Sequence, residues 1–209
     1  MKGAYPAMGP WRWVSRVLAV AAALVIVAVT GCVGKTKAPG APPAAVYPTE
    51  WPEAIASFRE QLGPLEAPFA DMRRSYCLLV WASLWSDENL MRGLLDERIY
   101  DMDENKWVSR EEFLAPVKSR QPLGLSQEQC AMLFWDRTSG AKLAFFDAKR
   151  VKELKLASPP GMGQGDYLLG AAPAETEPQY FFFTDRGGHY LIYAVGQGQP
   201  RYGGGSGGQ

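Results

Sequence analysis

The first thirty-one residues contain no Asp or Glu, and that asymmetry sets apart a segment that does not fold with the rest. Lys2, Arg12 and Arg16 precede an unbroken apolar run from Val17 to Val29, which closes on Thr30, Gly31 and Cys32. A positive stretch followed by about 13 apolar residues and a small-residue exit has the layout of a secretory signal, too short for a spanning helix of about 20. Residues 1–31 are therefore expected to direct export, and the fold must come from the chain beyond Cys32. Removing them takes three of the 22 basic residues and none of the 22 acidic ones, so the mature chain carries 19 − 22 = −3. That balance excludes the basic footprint of a nucleic-acid binder.

The run Val29-Thr30-Gly31-Cys32 resembles a lipobox, the processing site of bacterial lipoproteins. The resemblance implies cleavage before Cys32 and a diacylglyceryl group on its sulfur. Each buried CH₂ contributes about 0.8 kcal/mol, and two acyl chains suffice for stable anchoring. An ordinary signal anchor with an incidental Cys is the other reading of the same residues. Val33, by resemblance to enterobacterial lipoproteins, favours a periplasm-facing place at the outer membrane over the inner one. Residues 32–50, rich in Pro, Ala and Gly, read as a flexible tether, and residues 197–209, ending GGGSGGQ, as a disordered tail.

Between them, residues 51–157 read as a helical domain. Ile55, Phe58 and Leu62 give helical spacing before Gly63-Pro64. A second helix is expected from about Pro68 to Trp85, apolar nearly all round in its second half and so the buried centre. Ser86 offers an N-cap for a third, running to about Tyr100 through Leu90, Met91, Leu94, Leu95 and Ile99. Ser126 with Gln129 forms a capping-box pattern for another, and Asp147 to Leu156 covers a last one. In residues 158–196, two aromatic and β-branched runs, Gln179 to Thr184 and His189 to Val195, flank Asp185-Arg186-Gly187-Gly188 and predict a β-hairpin appendage.

Asp101 to Glu112 carries the one motif with chemistry in it. It resembles the EF-hand calcium loop, in which a hard dication takes six to eight oxygens from positions 1, 3, 5, 7, 9 and 12. Asp101, Asp103, Asn105, Trp107, Ser109 and Glu112 stand at those positions, with Val108 at the apolar position 8. Lys106 replaces the position-6 Gly, which costs about 1 to 2 kcal/mol in a left-handed conformation and sets a positive charge near the cation. Thirty-five residues later, Asp136 to Asp147 repeats the spacing with Leu143 at position 8 and most interior ligands lost. The resemblance implies a mainly α fold: an EF-hand-like helix-loop-helix pair with a degenerate second loop, two preceding helices and a small C-terminal hairpin. It also implies weak Ca²⁺ binding at the first loop, near the 10⁻⁴ to 10⁻³ M of extracellular modules. A hand-like fold without metal, and a chance acidic loop, remain beside it.

Other candidates reduce to structure. Cys77 and Cys130 sit in apolar helical contexts as two buried thiols or, in an oxidising compartment, a bridge. His189 is the only His and has no obvious nucleophile, Glu111 is explained by solvation, and most Trp residues by helix stripes. The expected function is thus non-enzymatic: a lipid-anchored envelope protein whose calcium site is structural or partner-binding. The alternative is a metal-free scaffold docking an envelope partner through the aromatic hairpin, at Phe181 and Phe183.

Overall fold

A computed structural model of the 209-residue chain describes residues 46–118, 124–173 and 177–198. The export signal, Cys32, most of the tether and nearly all of the tail lie outside the described residues. Seven helices are described: α1 (Glu53–Ala56), α2 (Phe58–Gln61), α3 (Phe69–Trp85), α4 (Glu88–Leu94), α5 (Arg110–Lys118), α6 (Gln127–Ser139) and α7 (Ala148–Glu153). Six strands join them: β1 (Leu95–Asp101), β2 (Lys106–Ser109), β3 (Lys142–Asp147), β4 (Tyr167–Ala172), β5 (Gln179–Asp185) and β6 (Tyr190–Gln197). The strands form one sheet in the order β2-β1-β6-β5-β4-β3. Only the β1–β6 pair is parallel.

Each central strand is apolar on both faces, and the two faces build two cores. Along β5, Phe181 and Phe183 point into the larger core with Leu169, Ala171, Ile192 and Val195, while Tyr180 and Phe182 point into the smaller one, as the period-2 alternation of a strand requires. The register slips between Phe182 and Phe183, so Phe182 faces Ala194 and Phe183 faces Ile192. Tyr193 is therefore the extra residue of a β-bulge, which lets Tyr193 and Ala194 share the smaller core. On the large-core side lies α3, buried from Ser75 to Ala82 and at Leu84. Its Trp81 meets Phe134 of α6 edge-on at 6.4 Å, and Phe58 of α2 stacks on Trp135 at 4.9 Å. On the other face, Val151 of α7 with Leu156 and Met162 closes over Phe182 and Leu168.

The mainly α expectation is overturned by this six-stranded mixed sheet, which makes the domain α+β. The predicted hairpin does form, but as the two middle strands rather than an appendage. Helical spacing located α3 and, through the Ser126 capping box, α6. It misled at the third helix. Ser86 takes a left-handed φ of 57° and ends α3, Asp87 caps α4 by accepting from Leu90 N at 2.9 Å, and α4 stops at Leu94. Leu95 to Asp101 becomes β1, because the chain there gains β2 on one side and β6, ninety-odd residues away, on the other.

Candidate functional site

The acidic stretch 101–112 is a hairpin corner followed by a helix. Asp101 at the end of β1 pairs with Lys106 at the start of β2, and Met102 to Asn105 make the turn. Asn105 takes the left-handed conformation, at φ 57°, so Lys106 at the position expected to be strained is instead an ordinary strand residue. Asn is among the few non-glycine residues that visit this region readily. The incoming element is a strand where a helix-loop-helix needs a helix.

Asp101, Asp103, Asn105 and Ser109 each have another task, while the Glu112 side chain lies exposed on α5. Asp101, 7% exposed, accepts the backbone N–H groups of Asp103 at 2.9 Å and Glu104 at 3.0 Å through one oxygen. Burial raises its carboxyl above the ordinary value, with those two bonds working in the opposite direction. Asp103 accepts from Gln197 N of β6 at 3.2 Å, and Met102 N donates to Val195 O at 2.9 Å, so the turn is fastened across the end of β6. Gly196 admits this approach, since a Cβ there would lie 2.8 Å from the Met102 Cβ. Asn105 accepts from the Tyr100 hydroxyl. Glu104 pairs with the exposed Lys106 at 2.6 Å and raises that ammonium's pKa. Trp107 packs edge-on against Tyr100 at 5.2 Å with the Arg98 guanidinium over its ring. Ser109 accepts from Glu112 N at 3.2 Å and closes the first turn of α5.

The paired second loop is not formed either. Asp136 and Ser139 lie within α6, and Leu143 to Asp147 lie in β3, whose last residue caps α7 by accepting from Arg150 N at 2.7 Å. Val108 and Leu143, the two position-8 residues, stand on β2 and β3, the opposite edges of the sheet. Among the described residues no three His, Cys, Asp or Glu side chains are grouped to hold a metal ion.

Sequence reasoning passed over a buried cation. Arg92 of α4, 4% exposed, is held by Glu88 one turn earlier and by both oxygens of Glu111 at the start of α5. Glu111 is thus the anchor that joins α4 to α5, not a merely solvated residue; Glu88 at i−4 to an Arg in an apolar stripe was the available signal. Two phenols of the small core were also missed. Tyr193 donates to Asp166 at 3.3 Å, while the Tyr180 hydroxyl is buried without a hydrogen-bond partner, and burial with nearby Asp103 pushes it up to about 12. Cys77 and Cys130 are buried and unbridged, and burial pushes the Cys77 thiol up to about 12. His189 stacks on Tyr47 at 4.3 Å. Phe181 and Phe183, expected as a partner surface, are 3% and 0% exposed.

No protein-family description matches the chain, and no curated protein does. Among the solved structures that resemble it distantly are the following. A DUF4783 family protein from Bacteroides fragilis YCH46 is 13% identical over 57% of this chain and 93% of its own, with a TM-score of 0.30. A variant of a protein named Rd1NTF2_05 is 15% identical over 61% of this chain and 95% of its own, at 0.29. A domain of unknown function with a cystatin-like fold from Nostoc punctiforme PCC 73102 is 12% identical over 65% of this chain and 78% of its own, at 0.31. Identities and scores this low say nothing about function.

Proposed function

We propose that this chain is a bacterial envelope lipoprotein, non-enzymatic and metal-free in its action, whose α+β domain serves as a tethered scaffold for an envelope partner. The observation that carries the reading is the order of segments: an acid-free signal ending in Val29-Thr30-Gly31-Cys32, then a Pro/Ala-rich stretch, then the α+β domain, whose first described helix is Glu53–Ala56. Diacylation at Cys32 supplies the anchor, and the absence of Asp at position 33 favours the outer membrane, facing the periplasm. Calcium is set aside because the chain enters the corner as a strand and Asp101, Asp103, Asn105 and Ser109 each commit an oxygen to a turn or cap hydrogen bond. No helix among the described residues is long and apolar enough to cross a membrane, which leaves the anchoring to the N-terminal segment in this reading.

Metabolic labelling with a radiolabelled fatty acid tests it. The wild-type chain is expected to take up label and sediment with membranes, and Cys32→Ala to lose the label. Wild-type protein recovered in the membrane fraction with residues 1–31 still attached and no lipid would refute it.

A further inference from the structure

We infer that residues Val46 to Thr49 form a strap seated on the domain, and that Gly93 is the seat that lets it lie there, giving the membrane tether two lengths. The part of this concerning the membrane rests on the anchoring at Cys32. Gly93 lies inside α4, where glycine weakens a helix and needs a local reason. The reason is contact: a methyl group at 93 would fall inside the van der Waals shell of the Val46 carbonyl oxygen and 3.0 Å from Pro48 Cδ. Beside this crossing Tyr47 is gripped from three sides. Its hydroxyl meets the buried Ser75 hydroxyl at 3.1 Å, its ring stacks on His189 at 4.3 Å, and the Arg74 guanidinium lies 5.7 Å from the ring centre. Arg74 also donates to Thr49 O at 3.4 Å.

These contacts join α3, α4 and the β5–β6 turn to one short stretch of chain. While it is seated, the 13 residues from 33 to 45 are all that separate Cys32 from the domain, a reach of at most about 45 Å. With the strap released as far as residue 50, 18 residues do so, and the reach grows to about 60 Å. Seating also decides which face of the domain the tether leaves from.

The test uses the processed chain, lipidated at Cys32, in phosphatidylethanolamine–phosphatidylglycerol vesicles, wild type and Gly93→Ala. An ordinary helical Gly→Ala change raises Tm, by about 2–4 °C in a domain of this size. Here Gly93→Ala is expected to lower Tm and to speed amide exchange in residues 46–51 about tenfold. A donor dye at Lys149→Cys, on a residue whose side chain is 84% exposed, should then transfer less energy to a headgroup acceptor. Tyr47→Ala should give the same exchange and transfer changes without touching α4, which keeps the inference open to test if Gly93→Ala misfolds. A higher Tm with unchanged exchange in Gly93→Ala, or unchanged exchange in Tyr47→Ala, would overturn the strap. Exchange that responds in a chain that stays off the vesicles would overturn the two-length membrane tether through failure of the anchoring.

Discussion

Asp101 shows how one residue type serves two chemistries. An oxygen that could bind a cation here accepts two N–H groups of its own turn, and the choice is testable with two substitutions. Asp101→Ala leaves those donors without their acceptor and should cost about 1–3 kcal/mol in denaturant melts. Asp101→Asn keeps an acceptor oxygen and should cost little. Because burial raises the folded-state pKa, the folded chain holds this proton to higher pH than the unfolded chain. The Asp101 contribution to stability therefore falls as pH rises from the ordinary carboxylate value through the raised one, and Asn removes that fall. Melts of both proteins at acid and neutral pH should show Asn gaining on wild type as pH increases. Cys77, with its thiol pushed up to about 12, should react with thiol reagents only as fast as the domain opens. Rapid labelling under native conditions would contradict its burial.

The elements were legible where the signal was local and hidden where pairing made them. The apolar stripe of α3 and the Ser126–Gln129 box of α6 are short-range patterns, and both helices stand where they were expected. Leu94, Leu95 and Ile99 fit a helix equally well, yet β1 gets its partners from β2 and from distant β6, a choice that no window of neighbouring residues records. Strand β3 was hidden inside a supposed loop for the same reason, since its partner β4 was not recognised. The site misled because Asp, Asn, Ser and Glu at fixed offsets are also the residues of turns and helix caps. At the α4–α5 junction, removing Glu111 should destabilise the fold by about 1–2 kcal/mol. That lies below the usual 3–5 for a broken buried pair because Glu88 remains and Glu111 is partly exposed. A cost near zero in Glu111→Ala would show Arg92 to be satisfied without it.

In the whole molecule, the aromatic strands are the centre of the sheet, so a partner must find another surface. Phe183→Ala should cost about 3–5 kcal/mol, a large share of the 5–15 typical of a domain, and its effect on any partner would come through unfolding. The exposed side chains available to a partner include Trp85 and Met132 on the helical side and Trp107 beside the acidic corner. That corner decides the metal-free part of the account, for it is either a braced end of the sheet or a cage for calcium. The most direct measurement is an NMR titration of the isotope-labelled chain with calcium to roughly 10 mM, well above the weak end of extracellular sites. The account predicts cross-strand contacts between Ile99 and Val108 and unmoved Asp103 and Glu104 amides throughout. Helical contacts across residues 95–101, with saturable calcium shifts at those amides, would contradict it.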